Sequence, residues 1–255
     1  MVFFFKTMKA YYFLSGLPRS GNTLLGSIIN QNPKLNLTAN TVLTDVLYQL
    51  HLIKDYQIYK NFPDEKSLDN IIKNIFNNYY KDWEADYIID RGVWGTPFNL
   101  QCLKSIVKKP KFIILYRPVL ECLASFIKIE KPVNVEARCH ELMGNNEMIG
   151  KCLWSIKNLI KEKEDHIIIN YLDLVKNPLK QINKIYSYLN IDSFEHKLKD
   201  FNIFSANNIK YDDSVLNVPL HTIRTNKIEL NKYKIEDCLP TNIIKQYSNL
   251  DIWKF

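Results

Sequence analysis

A chain of 255 residues, 46% of them hydrophobic, is long enough to form one sizeable α/β domain with a buried core. Its 34 basic and 27 acidic residues leave a formal charge of +7 spread along the chain, which suits a small anionic ligand; no dense basic stripe indicates a nucleic-acid partner. The five cysteines share no disulfide or zinc spacing, which favours reduced thiols in a cytoplasmic protein without a bound metal.

The N-terminal segment, residues 1–14, is apolar, but Lys6 and Lys9 interrupt it and no small-residue cleavage site follows. We therefore expect neither a signal peptide nor a membrane span. Its last residues, Ala10–Leu14, read as a buried strand that leads into a loop, and Thr23–Asn30 reads as a helix.

The loop between this strand and helix has the spacing Gly16-x4-Gly21-x-Thr23, which is that of a phosphate-binding P-loop. Asn22 stands where a nucleoside triphosphatase has its lysine, and the cation lies three positions earlier, at Arg19. The pattern therefore predicts a phosphate site that does not hold the γ-phosphate of ATP. The predicted phosphate-binding residues are Pro18, Arg19, Ser20, Gly21, Asn22, Thr23 and Leu24.

Two helices and a strand follow the P-loop region. Apolar spacing predicts one helix over Asn40–Tyr59, which carries Asp45, and another from Pro63 to about Trp83. A short apolar run at 87–90 predicts a buried strand that ends in Asp90 and Arg91. In open α/β sheets ligands bind beyond the carboxyl ends of the strands, so Asp90 is expected to face the same crevice as the P-loop. The alternative is an Asp that caps the strand and pairs with a surface Arg.

A second anion site is predicted after the next strand. Thr96–Lys108 reads as a helix and Lys111–Tyr116 as the clearest strand of the chain, followed at once by Arg117 and Pro118. Arg117 offers a planar fork to phosphate oxygens. Ser125 lies about two turns into the following helix, so both groups are expected at one edge of the crevice.

The remaining chain alternates in the same way as far as residue 194. The polar segment 129–146 breaks the helical pattern and is predicted to be an insertion that closes over an acceptor substrate. Further predictions are a helix at 148–163, a strand at 166–170 and a helix at 178–189. Strands that alternate with helices predict a single three-layer α/β/α domain over residues 1–255, with a mainly parallel central sheet.

These motifs resemble those of the sulfotransferases that use 3′-phosphoadenosine-5′-phosphosulfate (PAPS). The run Ser15–Leu25 resembles their 5′-phosphosulfate loop, and Arg117 with Ser125 resembles their 3′-phosphate site. An Arg at the place of Arg19 is typical of the bacterial, phage and tyrosylprotein-type branch rather than of the cytosolic steroid and phenol enzymes. The family's residues after the second strand are partly matched by Asp90 and Arg91.

Two more segments share the resemblance. The family places a Tyr beside the adenine at the position of Tyr171, whose alternative interpretation is a packing aromatic at a strand end. The run 218–227, within a predicted C-terminal loop at 203–240, resembles a loop that folds over the nucleotide in related bacterial enzymes. The resemblance implies that Arg224 and Lys227 add charge near the 3′-phosphate.

The resemblance implies a P-loop NTPase-like sulfotransferase fold and a reaction. A sulfuryl group moves from PAPS to an acceptor hydroxyl or amine, adenosine 3′,5′-bisphosphate is released, and no metal is required. Arg19 would stabilise charge on the bridging oxygen. Tyrosylprotein sulfotransferases carry their Glu base where this chain has Asn40, so Asp90 is the first candidate for the base and Asp45 the second.

Three questions stay open at this point. The acceptor can be a glycan, a lipid, a small alcohol or a peptide tyrosine. A P-loop kinase acting on a small molecule is an alternative enzyme, which the missing lysine at position 22 disfavours. A non-catalytic module that binds phosphorylated adenosine is the alternative without chemistry.

Overall fold

A five-stranded sheet forms the centre of the protein in the computed structural model, which describes residues 9–223, 225–230 and 234–250. All four strand pairings are parallel, and the strand order is β2-β3-β1-β4-β5. The strands are β1 (Ala10–Gly16), β2 (Leu35–Asn40), β3 (Tyr87–Arg91), β4 (Phe112–Tyr116) and β5 (His166–Asn170).

Helices connect these strands and cover both faces of the sheet. They are α1 (Asn22–Ile29), α2 (Leu43–Leu52), α3 (Gln57–Asn61), α4 (Glu65–Lys73), α5 (Ile75–Tyr79), α6 (Pro97–Ile106), α7 (Val119–Glu130), α8 (Val135–Met143), α9 (Met148–Lys161), α10 (Tyr171–Lys176), α11 (Pro178–Leu189) and α12 (Thr241–Tyr247). A two-stranded antiparallel sheet, β6 (Ser205–Ala206) and β7 (Ile209–Lys210), follows α11.

The core has two layers because successive strand residues point to opposite faces of the sheet. Phe13 of β1 is fully buried against side chains of α2 and α4–α9. Its neighbour Leu14 is fully buried on the other face, against α1 and α11. The predicted three-layer α/β/α architecture with a parallel sheet is therefore confirmed.

The order in which strands are added to the sheet changes direction at its central strand, β1. From β1 the chain builds β2 and β3 on one side and then crosses to β4 and β5 on the other. The loops after β3 and β4 consequently flank the loop after β1, which is the position where open α/β sheets bind ligands.

Four of the five strands lie where the sequence predicts them, and the fifth differs. The strand β2 was not predicted, because Leu35–Asn40 alternates apolar with polar residues. The predicted helix over Asn40–Tyr59 is wrong at its start, since the helix begins at Leu43 and ends at Leu52. The predicted helix at 63–83 is interrupted at Asn74, between α4 and α5.

The segment 129–146 contains regular structure that the sequence pattern did not indicate. Asn134 caps α8 by accepting a hydrogen bond from the backbone N–H of Ala137. Cys139 and Leu142 of α8 are buried in the core, so this helix packs against the domain. No α-helix in the described part of the chain has the length and apolarity needed to span a bilayer.

Candidate functional site

A cleft of about 780 Å³ opens at the carboxyl edge of the sheet, over the loop that follows β1. Its walls come from that loop, from the ends of β2 and β3, from the starts of α2, α9 and α10, from the middle of α7, and from the C-terminal segment. Among the described residues, five basic side chains (Arg19, Arg91, Arg117, Lys151 and Lys227) and three acidic ones (Asp45, Glu147 and Glu229) line it. This excess of positive charge suits an anionic ligand.

The floor of the cleft is the junction between the β1 loop and α1. Gly21 precedes the helix with φ of 95°, a left-handed conformation that glycine adopts without strain. The helix has no side-chain cap, so the backbone N–H groups of its first turn lack intrahelical acceptors. Thr23 and Leu24 of this turn line the cleft. The uncapped helix terminus therefore offers N–H donors and the positive end of the helix dipole to an anion.

Two predicted phosphate ligands turn their side chains away from the cleft. Ser20 is fully buried, and its hydroxyl donates to the carbonyl oxygen of Leu17 at 2.5 Å. The side-chain amide of Asn22 also donates to that oxygen, at 2.8 Å. In this structure the Ser20 hydroxyl therefore closes the loop internally, and a role for Ser20 in phosphate binding stays a prediction. Asn22 borders the cleft but its side chain is only 5% exposed, which leaves its backbone N–H for a ligand.

Arg19 connects the loop to two other walls of the cleft. Its Nε donates to the Oγ of Ser125 at 3.2 Å, and its Nη1 donates to the backbone oxygen of Leu220. Arg19 and Ser125 lie far apart in sequence, and both were predicted to bind the nucleotide. The structure brings them into contact and adds the C-terminal segment to the same cluster.

Arg117 is buried at the opposite side of the loop, with 3% of its surface exposed. Its Nε donates to Glu121 at 2.9 Å, and its Nη1 donates to the backbone oxygen of Arg19 at 3.0 Å. The guanidinium lies over the ring of Tyr171, 4.4 Å from the centroid. The same ring packs under Gly21, where an added Cβ would come within 2.8 Å of it. Arg117, Ser125 and Tyr171 all line the cleft, as the sequence predicts.

Asp90 does not face the cleft, which corrects the expectation from its place at the end of β3. Its carboxyl is fully buried and accepts hydrogen bonds from the Tyr80 hydroxyl, from Trp94 Nε1 at 2.8 Å and from Thr41 Oγ1 at 3.1 Å. Burial raises the pKa of Asp90 to about 6, and the three hydrogen bonds act against that rise. Of these three partners, Thr41 is the one that lines the cleft.

Asp45, the second candidate for the base, does line the cleft. It is exposed and lies in the first turn of α2, a place where the helix dipole favours negative charge. The polar start of α2 therefore borders the cleft.

The C-terminal segment closes one side of the cleft. Lys227 is exposed, lines the cleft and forms an ion pair with Glu229. Arg224, the other predicted cation of this segment, lies outside the described residues.

The sequence did not single out Arg91 as a ligand, although it lines the cleft and is 92% buried, with 8% exposed. Its Nη1 donates to the hydroxyl of Tyr211 at 3.1 Å, and its buried Nε has no hydrogen-bond partner among the described residues. The alternation of side chains along β3 could have revealed Arg91. Asp90 and Arg91 are neighbours on a strand, so they point to opposite faces of the sheet and only one of them can follow the direction expected for Asp90.

The sequence also gave no role to His221. Its ring stacks on that of Tyr211, with 3.6 Å between centroids and 2° between planes. Its Nδ1 lies 2.5 Å from a carboxylate oxygen of Asp213. The spacing of Tyr211, Asp213 and His221 matches no known motif. The segment that carries them also has little regular secondary structure from which their contact could be predicted.

Comparison with known proteins gives one family and one fold. The model of a family described as the sulfotransferase family matches residues 12–196. No curated protein matches the chain.

Three solved structures share its fold. The sulfotransferase domain from the curacin biosynthetic pathway has a TM-score of 0.56 and 16% identity, and the match covers 94% of this chain and 98% of that one. The sulfotransferase domain of the Synechococcus PCC 7002 olefin synthase has a TM-score of 0.50 and 16% identity, with 97% and 86% covered. A sulfotransferase from Alicyclobacillus acidocaldarius has a TM-score of 0.51 and 12% identity, with 83% and 90% covered.

Proposed function

The chain belongs to the sulfotransferase family, and on that premise we propose that it moves a sulfuryl group from PAPS to an acceptor hydroxyl or amine, releasing adenosine 3′,5′-bisphosphate. The observation that carries the proposal is the cleft at the end of β1. There an uncapped helix terminus, Arg19 and the buried Arg117 converge from three different elements. A ligand with separate 5′ and 3′ anionic groups accounts for two cationic positions on either side of one loop.

The 5′-phosphate of the donor would lie at the start of α1. The backbone N–H groups of Asn22, Thr23 and Leu24, together with the Thr23 hydroxyl, are the donors for it. PAPS supplies an activated sulfuryl group when it is bound. Arg19 would stabilise the negative charge that develops on the oxygen leaving sulfur, because sulfuryl transfer, like phosphoryl transfer, depends mainly on positioning and charge.

The 3′-phosphate would be held by Arg117 and Ser125. Arg117 is already oriented by Glu121 and by the Arg19 carbonyl, so little side-chain freedom is lost when a phosphate binds. Tyr171, packed under Arg117, is proposed to contact the adenosine, and Lys227 to add charge from the C-terminal loop at 203–240. The role of Arg224 stays a prediction from the resemblance.

Asn22 argues against the kinase alternative. Its neutral side chain folds back into the loop toward Leu17. It therefore cannot replace the lysine that contacts the β- and γ-phosphates of ATP. A binding module without catalysis would need the same nucleotide site, and only turnover separates it from an enzyme.

The acceptor would enter from the side of the cleft formed by α2 and the start of α9. Asp45 and Met148 line that side, and Met148 follows directly on the segment 129–146. We propose that this segment borders the acceptor, held in place by α8. We propose no nucleic-acid partner, and the acceptor classes to be tested are glycans, lipids, small alcohols and peptide tyrosines.

The proposal is tested by incubating the protein with PAPS labelled in its sulfuryl group and a panel of those four acceptor classes. We expect label in one class, and we expect Arg19→Ala to lose it. Lys104→Ala is the matched control, because Lys104 is a cation on α6 that pairs with Glu164 and does not line the cleft. No labelled product in any class, with tight binding of adenosine bisphosphate, would leave the binding module as the function.

A further inference from the structure

A histidine held by a carboxylate lines the same cleft. Asp213 accepts two hydrogen bonds from His221: one from its backbone N–H at 2.9 Å and one from its ring Nδ1 at 2.5 Å. Desolvation acts to raise the pKa of Asp213, but its hydrogen bonds with His221 and the charge of Arg19 hold it below the usual value. Asp213 is therefore an ionised acceptor at neutral pH.

This contact fixes the tautomer of the imidazole. An ionised carboxylate can only accept hydrogen bonds, so Nδ1 of His221 must carry the hydrogen. In the neutral ring the other nitrogen, Nε2, then keeps its lone pair. The stacked ring of Tyr211 holds the plane of the imidazole, and the hydrogen bond to Asp213 anchors its Nδ1 edge. The result is a preoriented base with one nitrogen anchored and the other available.

The charged groups around the ring place it beside the reacting centre. Arg19 of the β1 loop donates to the backbone oxygen of Leu220, the residue before His221. Arg91 at the end of β3 donates to the hydroxyl of Tyr211, on which His221 stacks. Asp213, Arg19 and Arg91 therefore hold the imidazole and the residues next to it in place, and His221 itself lines the cleft.

We propose that His221 is the general base of the transfer reaction and that Asp213 is its positioning residue; the inference rests on the proposed function. Nε2 of His221 takes the proton from the acceptor O–H or N–H as a lone pair of that atom forms the new bond to sulfur. The bond between sulfur and the bridging oxygen breaks, and its electron pair stays on the 5′-phosphate oxygen. The imidazolium returns its proton to water after product release.

The two carboxylates predicted as bases fit this role less well. Asp90 is fully enclosed by Tyr80, Trp94 and Thr41 and cannot touch an acceptor. Asp45 is exposed in the first turn of α2, where its carboxylate is open to solvent. His221 is the group in the cleft whose proton-free nitrogen is set by a second residue, which is the arrangement of activated general bases elsewhere.

The test compares His221→Gln and Asp213→Asn with wild type, using the acceptor that the labelled-PAPS panel identifies. We expect His221→Gln to lower kcat by roughly 10²–10⁴-fold, the usual contribution of a general base. Its Kd for adenosine 3′,5′-bisphosphate should change by less than about twofold, since no contact proposed for the nucleotide is removed. Asp213→Asn should give a smaller loss. His166→Gln is the matched control, because His166 lies at the start of β5, does not line the cleft, and has its Nδ1 2.7 Å from the backbone oxygen of Glu164.

Two readouts separate a base from a merely structural histidine. The loss in His221→Gln should fall on kcat, whereas the KM for PAPS should stay close to that of wild type. Nitrogen-correlated NMR of the ligand-free protein should show the His221 signal, assigned by its absence in His221→Gln, with hydrogen on Nδ1. In Asp213→Asn this preference should be lost.

Each outcome has one meaning. Wild-type turnover that His221→Gln retains, or a greater loss in Asp45→Asn than in His221→Gln, would overturn the inference and leave the proposed function intact. A ring that carries its hydrogen on Nε2 would also overturn it. Failure of wild type to bind adenosine bisphosphate would instead refute the proposed function.

Discussion

Arg117 has a structural role and a proposed ligand-binding role, and an experiment can separate the two. It is nearly enclosed by Glu121, by the carbonyl of Arg19 and by the ring of Tyr171. Such an arginine holds the β1 loop against α7 and α10 even without a ligand. A phosphate that reaches it would add a charge-assisted contact of a kind worth roughly 1.5–3 kcal/mol.

We therefore expect Arg117→Ala to weaken adenosine 3′,5′-bisphosphate binding by about ten- to a hundredfold. Adenosine 5′-monophosphate, which lacks the 3′-phosphate, should lose far less affinity. Calorimetry with both ligands measures the difference, and Lys104→Ala, at a cation outside the cleft, provides the control. Equal losses for the two ligands would mean that Arg117 acts only through the fold.

Asp90 shows how much a fully buried carboxyl can change the pH dependence of stability. Burial favours its neutral form in the folded protein and raises its pKa to about 6 from a usual 3.8. Between these two values the folded state holds more protons than the unfolded state. The contribution of Asp90 to stability is thus greatest below pH 3.8 and falls as the pH rises through 6.

This shift predicts the behaviour of Asp90→Asn, in which the side chain at position 90 no longer titrates. The free energy of unfolding of wild type minus that of the variant should fall by roughly 2–2.5 kcal/mol between pH 4 and pH 7, which is most of what a shift of about two pKa units can supply. Urea unfolding across this range measures it, with Asp55→Asn, a change at an exposed carboxyl, as the control. A difference that rises with pH would contradict the predicted direction.

The residues explain where prediction from sequence succeeded and where it stopped. Arg19 and Arg117 were found because each follows a strongly apolar strand that must be buried. Asp90 was expected in the cleft because it ends a strand, but the face to which it points depends on the register with β1, where Asp90 pairs with Phe13. Partners such as Tyr80 come from a helix whose packing the sequence does not reveal.

At the scale of elements, the junction of β1, loop and α1 depends on Tyr171 as much as on its own glycines. The ring of Tyr171 fills the space beside Gly21, and α10 carries this ring directly after β5. Two elements that are distant in sequence therefore shape one anion site.

We expect Gly21→Ala to disturb both the β1 loop and the position of the Tyr171 ring. A residue with a Cβ at φ of 95° is strained by roughly 1–3 kcal/mol. The new Cβ would also lie 2.8 Å from the ring, which must move and take Arg117 with it. Both the free energy of unfolding and the affinity for adenosine bisphosphate should fall.

Gly144→Ala is the control for this experiment, because Gly144 has φ of −55° and its nearest obstacle is the flexible side chain of Glu147. Urea unfolding and calorimetry on both variants give the comparison. Unchanged nucleotide affinity in Gly21→Ala would show that the Tyr171 ring does not support the site.

The strand β2 marks the limit of element prediction. The strands β1, β3, β4 and β5 are short apolar runs, as expected of parallel strands covered on both faces. The strand β2 lies at an edge of the sheet, and its Asn36, Thr38 and Asn40 alternate with apolar residues. Its sequence therefore carries a weaker signal, and the register with β3 also shifts between Leu37 and Asn40.

At the scale of the whole molecule, the strand order determines where the site lies. The residues of the β1 loop determine which nucleotide it suits. The chain changes direction across the sheet at β1, so the loops after β1, β3 and β4 meet at one edge. That much follows from the order of elements. The closing of the cleft by residues 211–229 does not, because this segment has no apolar periodicity.

The loop predicts which nucleotide stabilises the folded protein. Asn22, turned inward toward Leu17, leaves no lysine for the β- and γ-phosphates of ATP, whereas Arg117 and Ser125 offer a site for a ribose phosphate. Adenosine 3′,5′-bisphosphate without Mg²⁺, at roughly 100 times its Kd, should add about 2.7 kcal/mol of stability. For a chain of this size that raises Tm by about 5–10 °C. ATP at the same concentration, with or without Mg²⁺, should raise Tm less. A Mg²⁺-dependent shift with ATP that equals or exceeds the bisphosphate shift would favour a kinase and overturn the assignment of the donor.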